Sequence, residues 1–177
     1  MLAVSHARGA EFLNVSSIDD LLDHNAKYAA GFSKVSRTAR PAKKIAIVTC
    51  MDARMDPGEL LGLAEGDAHV IRNAGGVVTE DVIRSLMISQ RVMGTREIML
   101  IHHSGCGMST ITDAELSDDL EKETGVRPPF AIGAFSDVED DVRQSIARIN
   151  ASPFVSHKDA IRGFLYDDET GRLREVK

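Results

Sequence analysis

Tryptophan is absent from this 177-residue chain, tyrosine occurs twice, and there are only two cysteines. No apolar stretch approaches the roughly 20 residues needed to cross a bilayer, which excludes a helical membrane span. Met1–Ala10 lacks the apolar core of a secretory signal. A reducing, cytoplasmic setting is therefore the default expectation, and it suits thiolates bound to a metal better than a structural disulfide. Basic charge is also in deficit: 21 Lys and Arg stand against 27 Asp and Glu, a formal net charge of −6. That balance removes any reason to expect nucleic acid or an anionic membrane as a partner. Repeats, low-complexity tracts and linkers are missing too, so one domain over residues 1–177 is expected. Within it, 1–16 reads as a flexible arm and 17–32 as an N-terminal helix.

What is present is concentrated in two apolar runs. Ile45-Ala-Ile-Val-Thr49 is short, rich in β-branched residues and stops at Cys50, with Asp52 and Arg54 close behind. Such a run suits a fully buried strand better than a helix. About fifty residues on, Ile98-Met-Leu-Ile101 leads into His102-His103-Ser-Gly-Cys106-Gly. Both cysteines of the chain follow such runs. In open parallel sheets, reactive groups gather beyond the carboxyl ends of the strands. If the runs are neighbouring parallel strands, Cys50, His103 and Cys106 converge. Two thiolates, one imidazole and a free fourth position form a ligand set suited to catalytic Zn²⁺. A turn through Gly105 and Gly107 brings both His103 and Cys106 to one metal. The cysteines could instead be small buried hydrophobes or a disulfide pair; the flanking Asp52, Arg54 and His103 argue against both. His102, pointing opposite to His103 on a strand, reads as packed or interfacial. His69 and His157 read as structural or solvent-exposed.

Along the chain, Ser17 with Asp19 and Asp20 starts a helix that Gly31 ends. Residues 33–44, with Lys34, Arg37, Arg40, Lys43 and Lys44, read as a basic loop. Asp56-Pro57-Gly-Glu59 opens a further helix. Ala68–Ile71 is a strand delivering Arg72-Asn73-Ala74-Gly75-Gly76. Thr79 caps an amphipathic helix reaching about Met93, and the strand Ile98–His102 follows. Thr112-x-x-Glu115 and Ser136-x-x-Glu139 resemble capping boxes; the first helix stops at Gly125. Ile161–Tyr166 and Arg172–Val176 flank a turn as a C-terminal hairpin-like extension. The alternation of strands and helices predicts an α/β fold with a mainly parallel central sheet flanked by helices.

Cys50-x-Asp52-x-Arg54 followed by His103-x-x-Cys106 resembles the paired signature of the β-class carbonic anhydrases, and Arg72–Gly76 matches a segment typical of that family. The resemblance covers the chain from about Ile45 to the C-terminus. It implies a zinc-dependent carbonic anhydrase, a lyase that hydrates CO2 to bicarbonate and a proton by a zinc-bound hydroxide. Cys50, His103 and Cys106 are then the Zn²⁺ ligands, and Asp52 and Arg54 the catalytic pair. Asp52 can accept the hydrogen bond of the hydroxide, or serve as fourth ligand in a closed state against which Arg54 competes. The family also implies a homodimer or larger homo-oligomer. A tryptophan-containing bicarbonate-inhibition site found in part of the family has no counterpart here. Two alternatives remain at this level: a carbonyl sulfide or carbon disulfide hydrolase on the same fold, and a non-catalytic zinc-binding module with a closed site. Substrate-binding residues are not identified by the motifs.

Overall fold

The computed structural model describes residues 16–33 and 38–177. Most of the arm expected over 1–16, and Lys34 and Arg37 of the basic loop, lie outside them. Two units divide the chain, Met1–Ser36 and Arg37–Lys177. The first holds helix α1 (Ser17–Ala30), and its cap is Ser16 rather than Ser17: the Ser16 hydroxyl accepts from the Ile18 N–H. Asp19 and Asp20 lie in its first turn, where the helix dipole favours them. No residue of α1 is buried, and Ile18, Leu21 and Leu22 are all exposed.

The second unit is built on β1 (Ile45–Cys50), α2 (Pro57–Leu61), β2 (Ala68–Asn73), α3 (Glu80–Arg91), β3 (Glu97–His103), α4 (Asp113–Thr124), α5 (Val138–Ala151), β4 (Ile161–Tyr166) and β5 (Leu173–Val176). The strands form one sheet in the order β2-β1-β3-β4-β5. The first three pairings are parallel and only β4–β5 is antiparallel. The expected C-terminal hairpin is present as β4 and β5, and it is joined to the central sheet. β4 runs beside β3 from Ile98↔Ile161 to His103↔Tyr166 and extends the central sheet.

β1 and β3 are covered on both faces, which is why they read as continuous apolar runs and not as alternating ones. On one face Ala46, Val48, Ile98 and Leu100 pack with Val82 and Leu86 of α3 and Ile149 of α5. On the other, Ile47 and Ile101 pack with Met55, in a cluster that also takes in Cys50, Cys106 and Phe135 around the strand ends. The core therefore continues directly into the cysteines.

Helix starts follow local hydrogen bonding. The Asp56 carboxylate accepts from the Gly58 and Glu59 N–H groups with Pro57 at the first helical position. Thr79 caps α3, and Thr112 caps α4, which stops at Gly125. At α5 the cap is Asp137 rather than Ser136. Its carboxylate accepts from both Glu139 and Asp140 N–H groups, two bonds from one charged acceptor at the positive end of the helix.

Candidate metal centre

β1 and β3 are in parallel register, Thr49 opposite Ile101, so Cys50 and His103 emerge at the same end of the sheet. The chain then turns at once, and Cys106 swings back over the strand ends. That turn is held by Ser109, whose N–H and hydroxyl both donate to the Cys106 carbonyl. One ligand atom each from Cys50, His103 and Cys106 lies within 4.8 Å of the others, and all three residues are buried. The cysteines are not bonded to one another; their Sγ atoms are 3.9 Å apart.

These atoms fit a tetrahedral cation. Zn–S bonds of about 2.3 Å at a tetrahedral angle separate two sulfurs by about 3.8 Å, close to the spacing observed. His103 Nε2 is a buried nitrogen without a hydrogen-bond partner among the described residues, an arrangement that is costly unless something binds its lone pair. Burial, together with the neighbouring Cys50 sulfur, pushes the Cys106 thiol up to about 11. Without a cation, a second negative charge in this pocket is disfavoured.

Asp52 and Arg54 lie on the turn after β1. Arg54 chelates the carboxylate with both ends of its fork, Nε to Oδ1 at 2.9 Å and Nη2 to Oδ2 at 2.6 Å, and its backbone N–H adds a third bond. This pairing holds the Asp52 carboxyl well below the usual carboxylate range, so Asp52 is an acceptor only. Its Oδ2 lies 3.8 Å from His103 Nε2, beside the three ligand atoms. Arg54 Nη2 also donates to the Gly105 carbonyl at 3.0 Å, tying the pair to the loop that carries Cys106.

Two side chains take roles that the motifs do not assign: Arg72, within the Arg72–Gly76 segment already singled out, and Asp168, outside every motif. Arg72 reaches across from β2 and donates to the carbonyls of Cys50 and Asp52 at 3.0 and 2.7 Å, fixing the β1 turn. Asp168, in the β4–β5 turn, lies 3.0 Å from His103 Nδ1 and accepts from the Gly105 N–H at 2.9 Å. The signal for it was an acidic turn residue two positions beyond a strand end.

The Asn73–Gly76 segment packs on the end of β1. Gly76 has φ +72, and a Cβ there would lie 2.9 Å from the Thr49 carbonyl carbon and 3.0 Å from Cys50 N. His102 is buried on the other side of β3 with Nε2 2.7 Å from Asp141 Oδ2 and its ring against Phe135. It is packed, as expected, and stands apart from the ligand group. His69 Nδ1 pairs with the Ser89 hydroxyl at 2.7 Å.

Comparison with known proteins places this geometry. Residues 45–173 match the family described as carbonic anhydrase. β-Carbonic anhydrase 1 of Mycobacterium tuberculosis is 54% identical over 158 residues, covering 89% of this chain and 96% of its own. A carbon disulfide hydrolase of Acidithiobacillus thiooxidans is 32% identical over 152 residues, 75% of this chain and 76% of its own. The crystal structure of carbonic anhydrase from Streptococcus mutans superposes with a TM-score of 0.85 at 42% identity, covering 92% of this chain and 98% of that one.

Proposed function

Because the chain belongs to the β-class carbonic anhydrases, we propose that it hydrates CO2 reversibly to bicarbonate and a proton at a zinc ion held by Cys50, His103 and Cys106. The observation that carries this is the convergence of those three buried ligand atoms beside a carboxylate that Arg54 holds ready. Zinc held by these three residues would supply a Lewis acid that acidifies water, as in the familiar anhydrases with three histidine ligands.

The protein's own residues do the rest. Cys50 and Cys106, as thiolates, neutralise the dication, and His103 offers its Nε2 lone pair. Asp52 Oδ2 accepts the hydrogen bond of the attacking water and so aims an oxygen lone pair at the substrate carbon. Arg54 keeps that carboxylate from becoming a ligand itself. A guanidinium suits this task better than an ammonium, since its fork matches the carboxylate plane. The centre lies wholly within the unit Arg37–Lys177. The exposed apolar residues Ile18, Leu21 and Leu22 of α1 support a homodimer or a multiple of one.

Carbon disulfide and carbonyl sulfide are linear heterocumulenes like CO2 and open to the same attack. Identity favours the anhydrase: 54% to the mycobacterial enzyme against 32% to the disulfide hydrolase. A permanently closed, non-catalytic centre is disfavoured by the bidentate grip of Arg54 on Asp52.

The test is zinc per chain together with stopped-flow rates on CO2, carbonyl sulfide and carbon disulfide side by side. One zinc per chain and preference for CO2 are expected. Chelation should abolish the rate and added zinc restore it, and Cys106→Ser should lose both metal and activity. Full zinc and full rate in that variant would sink the assignment.

A further inference from the structure

The geometry points to Asp168 as the positioning residue of the metal centre: it holds His103 in the tautomer whose Nε2 is free to bind metal, and it anchors the loop that carries Cys106. This rests on the zinc reading above but concerns a residue outside both signature motifs.

Both Asp168 oxygens face His103 Nδ1, at 3.1 and 3.0 Å. A carboxylate only accepts, so Nδ1 carries the ring proton and Nε2 keeps its lone pair. Nε2 has no hydrogen-bond partner among the described residues, which leaves it as the ring nitrogen free to join the two sulfurs. A carboxylate behind a ligating imidazole also raises its basicity and fixes the ring plane. The same carboxylate takes the Gly105 N–H at 2.9 Å, and its Oδ2 lies 3.6 Å from Arg54 Nη2. Its own backbone is fixed in turn, for the Asp168 N–H donates to the Ser104 hydroxyl at 3.1 Å.

Gly105 supplies independent support. A Cβ built there would lie 2.5 Å from Asp168 Oδ2. Only glycine lets the carboxylate occupy this position between His103 and the loop. An ordinary exposed acidic turn residue would impose no such demand on a residue 63 positions away.

The experiment compares zinc-loaded parent, Asp168→Ala, Asp168→Asn, Gly105→Ala and Cys106→Ser. Zinc affinity is read by competition with a chromophoric chelator, and the His103 ring by long-range ¹H–¹⁵N NMR. In the parent, Nδ1 should carry a proton protected from exchange and Nε2 should be the metallated nitrogen. Asp168→Ala should weaken zinc binding by roughly 10–100-fold, the range typical for loss of such a partner, and should expose the Nδ1 proton to exchange. Gly105→Ala, which keeps the carboxylate but displaces it, should do the same. Asp168→Asn, with one acceptor oxygen for two donors, should fall between. A generally loosened fold would not alter the protonation of one ring nitrogen selectively. If Asp168→Ala fails to fold, the other two variants decide. Zinc affinity within roughly 2-fold of the parent in those variants, against the 10–100-fold expected, with the Nδ1 proton still protected, overturns the role of Asp168. Retention of zinc by Cys106→Ser would instead overturn the centre itself, so the two failures are distinct.

Discussion

Gly76→Ala probes how the end of β1 is held, and its cost can be worked from the structure. Gly76 has φ +72, so any L-residue there meets the left-handed penalty of about 1–2 kcal/mol. The new Cβ would also lie 2.9 Å from the Thr49 carbonyl carbon, 3.0 Å from Cys50 N and 3.2 Å from Thr49 Cα. These are backbone atoms of a buried strand in register with both neighbours, and they cannot rotate away. Overpacking of that kind costs about 1–3 kcal/mol more. Gly62→Ala is the matched control: φ is +63, but nothing lies within 4 Å of its Cβ position. The control should show the conformational penalty alone. For a chain of this size each kcal/mol moves Tm by about 2–4 °C, so Gly76→Ala should melt about 2–12 °C below Gly62→Ala. Relief of the clash pushes on the Thr49–Cys50 peptide, so zinc affinity should fall in Gly76→Ala and not in Gly62→Ala. Thermal melts and chelator competition on both variants check this. Equal melting temperatures and unchanged zinc affinity would refute the claim that close approach of the Asn73–Gly76 turn fixes Cys50.

Asp52→Asn should leave zinc bound yet reduce CO2 hydration, on the order of 10²-fold, the scale found when one oriented polar group is removed from a reacting centre. Arg54→Ala should lower the rate by releasing Asp52 toward the metal, visible as a changed absorption spectrum of the cobalt-substituted protein; an unchanged spectrum and rate at alkaline pH would remove Arg54 as the restraint. Asp137 is held below the usual carboxylate range by the N–H groups of Asp140 and Glu139. Its folded pKa is thus the lower one, so its stabilisation is full above the unfolded value near 3.9 and is lost as pH falls through the folded value. The stability gap between parent and Asp137→Ala in urea titrations should therefore narrow below about pH 4, and a gap constant with pH would contradict the capping role.

The convergence of Cys50, His103 and Cys106 was legible because three signals coincided. β-Branched runs marked two buried strands, the chain's only cysteines sat after them, and parallel strands put such residues at one end. The sheet order and the role of β4 were less accessible. Residues 161–166 followed by an acidic turn read as one arm of a local hairpin, which they are. Nothing local says that β4 also pairs with β3, since that depends on where α5 lies across the sheet. Asp168 was hidden for the same reason: in Asp-Asp-Glu-Thr-Gly it looks like turn chemistry, and only the His103↔Tyr166 pairing carries it to the imidazole. The helix caps missed by one residue, Ser16 for Ser17 and Asp137 for Ser136, were choices between adjacent side chains of equal propensity. Backbone geometry made those choices.

The peptide groups around Gly105 link the two halves of the centre. The Gly105 N–H is held by Asp168, which faces His103, and its carbonyl is held by Arg54, which chelates Asp52. Arg54 Nη2 and Asp168 Oδ2 are themselves 3.6 Å apart. Neither partner can move without changing the tension on the loop that delivers Cys106. Groups sharing one backbone segment in this way are expected to behave non-additively, whereas distant sites add. A double-mutant cycle of Arg54→Ala and Asp168→Asn, read as zinc affinity, tests the linkage. Once either anchor is gone, the loop is already free to shift, so the share of the second change that acts through the loop is already lost. The double variant should then bind zinc better than the product of the two single losses gives, with the share that Asp168 exerts through His103 still additive. Losses that simply multiply would mean that the two carboxylate pairs support the metal independently, and that Gly105 carries no coupling between them.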